Sequence, residues 1–329
     1  MKILVTGGAG FIGSVVSAAL LGAGHEVVIF DNFSKGNRKA VPKGAQLIAG
    51  DIGDRPALGK AMRGAAFDGV MNFAAFIEAG ESMAAPEKYF RNNTCNTLTL
   101  LEAMLEFKVP RLVFSSTAAL YGDPLRVPIE EDDPLRPTNA YGESKLLVER
   151  MLEWFHRIHG FRYASLRYFN AAGAAGELGE DHDPESHLIP IVLQAALGQR
   201  RSISIFGTDY PTADGTCVRD YIHVADLAAA HLLAFDRLGR DSAPERLIYN
   251  LGNGRGFSVR QVIDAARRVT GRPIQAVEAP RRPGDPPVLV ASSEKIKREL
   301  GWQPQCTELE RMIESSWEWR LRHPRGYKG

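Results

Sequence analysis

The sequence predicts an α/β protein in which a doubly wound parallel sheet is joined to a smaller, mixed α/β lobe. Three observations carry this. Short, continuous apolar runs alternate with helical patterning through the first half of the chain. The first run ends in a glycine-rich turn that opens a helix. After about residue 170 the texture changes, and Gly, Pro and acidic residues crowd "NAAGAAGELGEDHDPESH" at 170–187.

The strand-like runs are "KILVTG" at 2–7, "EVVIFD" at 26–31, "AQLIAGD" at 45–51, "DGVMNFAA" at 68–75 and "RLVFSS" at 111–116. Stretches near 11–23, 86–107 and 142–159 carry helical spacing. Strands buried on both faces read as unbroken apolar runs, which is how a parallel sheet covered by helices reads. Ligands of such sheets bind at the carboxyl ends of the strands. We expect one domain over 1–169 and a second over 170–329. A segment near 223–252 is expected to return to the first domain, because "YNLGNG" at 249–254 reads as a further sheet strand.

Composition narrows the functions. With 40 basic residues against 39 acidic, the 329-residue chain carries a formal charge of +1. That balance offers no electrostatic footprint for nucleic acid or an anionic membrane. No apolar stretch is long enough to span a bilayer. Cys95, Cys217 and Cys306 are scattered with no metal-ligand spacing, so we expect no metal, no disulfide framework and a cytoplasmic location.

"TGGAGFIG" places Gly7, Gly10 and Gly13 three residues apart between the first strand and the following helix. Such glycines let the backbone approach a pyrophosphate, whose charge meets the helix amides. The arrangement is Rossmann-type. Asp31 closes the second strand, 18 residues after Gly13, where a carboxylate accepts from an adenosine ribose and repels a 2′-phosphate. NAD is therefore expected over NADP, with Lys35 and Arg38 nearby as opposing signals. Asp51 after the third strand, "NFAA" at 72–75 and Asn92 on the next helix fall where a dinucleotide passes, although each alone reads equally well as a turn or cap.

The fifth strand ends in Ser115-Ser116-Thr117, and Tyr141 and Lys145 follow one helical turn apart. A phenol titrates near 10 when free, and a neighbouring ammonium together with a cationic nicotinamide favours phenolate. A tyrosine so tuned can take a proton from a substrate alcohol. Alone, the Tyr-Lys spacing is common by chance, and Ser-Ser-Thr reads as a turn cap.

"TGGAGFIG", the acidic end of the second strand, "FSSTAALYG" at 114–122 and "YGESK" at 141–145 together resemble the extended short-chain dehydrogenases/reductases. The match continues through "LRYFNAAGA" at 166–174, the long block at 205–231, "YNLGNG" and "APRRPGD" at 279–285, where it is similar to members of that family acting on UDP-hexoses. It covers nearly the whole chain.

The resemblance implies NAD-dependent interconversion of UDP-glucose and UDP-galactose through a transient 4-keto sugar. Thr117, Tyr141 and Lys145 take the reacting positions, and all but Lys145 also touch substrate. The NAD positions fall on Gly7, Gly10, Phe11, Ile12, Gly13, Asp31, Asn32, Asp51, Ile52, Phe73, Ala74, Asn92, Ser115 and Phe169, with Tyr141 and Lys145 among them. The UDP-sugar positions fall on Asn170, Leu188, Phe206, Arg219, Arg282, Asp285 and Leu289. Arginines at 219 and 282 suit a diphosphate. A homodimer formed through helices near 88–107 and 142–159 is implied likewise.

Two positions depart from some relatives. Ile77 stands where some carry a lysine that contacts the cofactor. Leu289 aligns with the residue that gates the sugar pocket, and its small apolar side chain predicts access for N-acetylated sugars as well. A 4,6-dehydratase needs an acid/base pair directly after the threonine, and a decarboxylase an acidic residue in the same segment. Ala118-Ala119 supplies neither. A non-catalytic dinucleotide sensor has no need of Thr117, Tyr141 and Lys145 together.

Overall fold

A computed structural model describes residues 1–240, 246–282 and 285–328. Residues 241–245, inside the stretch predicted to return to the first domain, and Pro283 and Gly284 of the 279–285 motif lie outside the described residues.

The strands are β1 (Lys2–Thr6), β2 (Glu26–Asp31), β3 (Gln46–Ala49), β4 (Gly69–Asn72), β5 (Arg111–Thr117), β6 (Arg162–Tyr168), β7 (Asn170–Ala172), β8 (Ile203–Phe206), β9 (Val218–His223), β10 (Arg246–Leu251), β11 (Gly256–Ser258), β12 (Ala276–Ala279) and β13 (Val288–Leu289). The helices are α1 (Phe11–Gly22), α2 (Arg55–Met62), α3 (Ala79–Ser82), α4 (Pro86–Tyr89), α5 (Asn96–Glu106), α6 (Ala140–His159), α7 (Leu188–Ala196), α8 (Val224–Leu238), α9 (Val259–Thr270), α10 (Glu294–Leu300) and α11 (Leu309–Arg322).

Seven parallel strands form the main sheet in the order β10-β6-β5-β4-β1-β2-β3. Successive side chains of a strand face opposite sides, and β1 shows the consequence. Ile3 and Val5 pack with Val15, Val16 and Leu20 of α1 and Leu227 of α8. Leu4, between them, joins Leu58 of α2, Leu100 and Met104 of α5 and Val148 of α6 on the other face. The chain order runs outward from β1 in both directions, so the crevice at its end is where a ligand of this sheet sits. At the edge of this sheet β10 hydrogen-bonds β6 from Arg246 to Leu251.

The stretch predicted as one helix over 86–107 is three pieces. Between α4 and α5 the turns widen into a π-helical segment, Phe90–Cys95. Asn93 lies within it, accepting from the Phe76 amide at 2.9 Å and donating to the Phe76 carbonyl and Ser144 Oγ at 3.0 Å each. Its side chain thus ties this segment to the chain after β4 and to α6.

The smaller lobe packs α7, α9 and α11 around β8 and β9 through Leu193, Ile205, Tyr221, Val262 and Met312. Strand β9 pairs with β7, β11 and β13, and β8 pairs with β12. Among the described residues, no helix is long and apolar enough to cross a membrane.

Candidate active site

A cavity of about 310 Å³ opens at the carboxyl ends of the central strands. Gly7, Gly10, Phe11, Ile12 and Gly13 form its floor. Gly7 adopts φ +70°, and a Cβ there would meet the Ala74 amide nitrogen at 2.5 Å. A Cβ on Gly13 would enter the Gly7 carbonyl oxygen. The turn therefore closes only on glycine, and it brings α1 end-on to the cavity. Gly10 is the N-cap of α1, and no side chain caps the first amides. That leaves the positive end of a helix facing the space. The floor fits a pyrophosphate.

Asp31 lines the same cavity and is 6% exposed. Its Oδ2 accepts from the Ala9 amide at 2.9 Å and its Oδ1 from the Phe33 amide at 2.8 Å. Burial pushes its carboxyl above the usual range, against those two hydrogen bonds. The predicted ribose acceptor therefore also staples the glycine loop to the end of β2. Asn32 donates to Asp51 at 2.6 Å, and both line the cavity with Ile52. Lys35 is bound to Glu78 at 2.6 Å, and the Arg38 guanidinium lies 4.2 Å from the Phe33 ring centre. Both cations already have partners, which removes the signal opposing NAD. Phe73, Ala74, Asn92, Ser115 and Phe169 complete the predicted NAD-side lining, together with Ile77.

At the other end stand Thr117 and Tyr141. The Asn139 side chain caps α6 by accepting from the Gly142 amide at 2.8 Å, fixing the turn that carries Tyr141. Burial pushes the Tyr141 phenol up, the Thr117 hydroxyl hydrogen-bonds it and pulls it down, and the Glu78 carboxylate pushes it up. Lys145 sits one turn later, 2% exposed, and is not part of the cavity wall. Its Nζ donates to the Ser115 carbonyl at 2.8 Å and lies 4.8 Å from the Phe114 ring centre. Burial pushes the Lys145 ammonium down to about 7. The protein's own groups thus hold Tyr141 as a neutral phenol.

A second cavity, of about 180 Å³, adjoins the first at Thr117, Tyr168, Phe169 and Asn170. Ala118, Ala119, Arg219, Asp285 and Leu289 line it further out. Asn170 is positioned by donating to the Asp220 carbonyl at 2.9 Å. Arg219 lies 3.8 Å from Asp285, which accepts from Arg282 Nε at 2.9 Å. The Arg282 guanidinium covers the ring of Phe206 at 4.8 Å. These four residues form one continuous rim. Phe206 and Arg282 stand outside the wall of either cavity. Leu188 is half-buried and packs against the core of the smaller lobe, and His187 just before it faces the first cavity.

Several lining residues were not foreseen. Tyr168 lines both cavities, and its hydroxyl bonds His231 Nε2. His231 Nδ1 faces the Leu227 carbonyl at 2.8 Å, which can only accept, so Nε2 is the acceptor and Tyr168 the donor. Burial pushes His231 down to about 4, consistent with the neutral ring. Glu78, Glu180 and His182 also line the first cavity. The alternation of Glu and His in "GEDHDPESH" was the available signal for the last two.

A glycine cradle beneath a helix start, an acid at the end of β2 and a Thr/Tyr pair above a buried lysine define a dinucleotide-dependent enzyme that moves protons at a substrate hydroxyl. The chain belongs to the NAD dependent epimerase/dehydratase family, which it matches over residues 3–252. It is 55% identical to the UDP-glucose 4-epimerase of Streptomyces lividans over 99% of this chain and 98% of that one. A crystal structure of a UDP-glucose 4-epimerase superposes with a TM-score of 0.96 at 48% identity, covering both chains completely. The Bifidobacterium longum UDP-glucose 4-epimerase, solved with NAD+ and UDP, gives 0.94 at 37% identity over 99% of this chain and 100% of that one.

Proposed function

We propose that the protein interconverts UDP-glucose and UDP-galactose, using NAD without net redox change. The observation that carries this reading is the meeting of Thr117 and Tyr141 at the junction of the two cavities, with alanines at 118 and 119 where a dehydratase needs its acid/base pair. NAD supplies the hydride acceptor and donor when bound. The floor of glycine backbone would hold its pyrophosphate, and Asp31 would receive its adenosine ribose.

Tyr141 takes the proton of the sugar 4-hydroxyl as carbon 4 gives up hydride, and returns it to the 4-keto oxygen when hydride comes back to the other face of that carbon. Thr117 shares the reacting oxygen and orients the phenol. Lys145 supports the wall from behind through Ser115. Arg219 and Arg282 grip the UDP diphosphate, and Asp285 aligns both guanidinium groups. Firm hold on the nucleotide leaves the sugar free to turn in the second cavity.

Incubation with UDP-galactose is the test. Appearance of UDP-glucose without net NADH is expected, and net NADH release overturns the reading. Leu289 at the second cavity supports a wider sugar range that includes N-acetylhexosamines. No detectable turnover of UDP-N-acetylglucosamine would sink that part.

The reading also includes a homodimer in the cytoplasm. Its support is the exposure of Trp154 (61%) and Ile158 (68%) on α6, on helices the resemblance assigns to an interface. Light scattering that returns the monomer mass at micromolar concentration removes the dimer.

A further inference from the structure

The loop between β7 and α7 gathers Glu180, His182, Glu185 and His187, and three of these four line the dinucleotide cavity. One ligand atom from each lies within 4.8 Å of all the others. We propose that these four side chains form a binding site for a divalent cation of the zinc class. No metal is expected from the sequence, and none of the four is among the predicted reacting residues Thr117, Tyr141 and Lys145.

The distances are those of a closed ligand set. His187 Nδ1 lies 2.7 Å from Glu180 Oε1 and 3.3 Å from Glu185 Oε1. His182 Nδ1 lies 3.1 Å and 3.9 Å from the same two oxygens. Ligands about 2.1 Å from a tetrahedral zinc stand about 3.4 Å from each other, in the middle of this range. Two imidazoles with two carboxylates suit zinc-like cations better than magnesium or calcium, which take oxygen sets.

Hydrogen bonding leaves the cluster incomplete. His187 Nδ1 is buried and makes no hydrogen bond despite its closeness to Glu180. His182 Nδ1, by contrast, hydrogen-bonds Glu180 Oε1 at 3.1 Å. Glu185, with its side chain 1% exposed, has an Oε2 without a hydrogen bond.

The loop is held in place without help from an ion. Glu185 Oε1 accepts from the amides of Ser186 at 2.9 Å and His187 at 3.0 Å. Arg320 of α11 donates to the Glu180 carbonyl at 2.7 Å, and its guanidinium stands 3.8 Å from Glu185 Oε2 and 3.6 Å from Asp181. Tyr327 receives the Gly179 amide at 3.0 Å. Supporting contacts of this kind orient metal ligands. Both imidazoles stand against the two carboxylates, whose charge draws protons or a cation into the pocket. A cation would release those protons and tie the cavity wall to the smaller lobe.

The test uses the full chain, treated with chelator, desalted and then given Zn2+ alone. One retained Zn2+ per chain is expected by elemental analysis, with a rise in Tm on zinc addition. Co2+ in its place is expected to give the intense visible absorption of a tetrahedral site. His182→Ala with His187→Ala should weaken Zn2+ binding at least about 100-fold with an unchanged circular dichroism spectrum. Equal binding by the folded double variant and the wild type overturns the site. Should the double variant not fold, the wild-type cobalt spectrum and Glu180→Gln decide. A weak, octahedral-type spectrum, or no retained zinc, means that the four groups hold only protons, and it overturns the proposal.

Discussion

Tyr141 and Lys145 show how little a spacing says until its surroundings are known. Tyr141→Phe removes only the hydroxyl, so UDP-galactose turnover is expected to fall by about 10²–10⁴-fold with KM nearly unchanged, the loss typical of a general acid/base. A change below tenfold in steady-state kinetics would remove Tyr141 from that role. Lys145 makes a separate prediction about stability. Its folded pKa is about 7, whereas an unfolded lysine titrates near 10.4. Between those values the unfolded chain binds more protons, so stability rises with pH. The cost of the buried charge is fully present below pH 7 and relieved above the unfolded value. Denaturant unfolding of wild type and Lys145→Met at pH 7 and pH 10 should show the wild type gaining relative to the variant. Parallel changes in the two proteins contradict the assignment.

At the scale of elements, the ends of helices place the chemistry. Asn139 caps α6 just before Tyr141, so Asn139→Ala is expected to cost about 1 kcal/mol and to lower kcat. A stability loss with kcat intact would mean that the cap does not position the phenol. Gly13 is governed by contact with the Gly7 carbonyl. Gly13→Ala should separate α1 from the turn and abolish NAD binding measured by calorimetry, while Gly22→Ala, where a Cβ meets nothing, should leave it intact. The sequence made these glycines legible because their spacing carries the geometry. It did not reveal the π-helical break before α5. There Asn93 bonds Phe76 and Ser144, residues 17 and 51 positions away.

Across the whole molecule, one buried network joins α6 to both β5 and β6, and reaches the returning strand β10. Arg167 pairs with Glu149 at 2.6 Å, with both side chains under 10% exposed. Ser116 donates to Glu149 at 2.6 Å, and Tyr121 receives Arg167 and donates to Asn250 of β10 at 2.7 Å each. Removing one partner strands a buried charge, so Arg167→Met is expected to cost about 3–5 kcal/mol in guanidinium unfolding. A loss under 1 kcal/mol would show the network to be dispensable.

By itself the sequence determined the parallel sheet and the dinucleotide turn, because these are written in strand periodicity and glycine spacing. The tertiary structure decided the rest. It packed the half-buried Leu188 against the smaller lobe, gave Lys35 and Arg38 partners of their own, and bonded Lys145 to the Ser115 carbonyl. It also brought two histidines and two glutamates of a polar loop to one point. Each of these depends on which distant residue packs alongside, and pair contacts between remote segments leave no local mark in the chain.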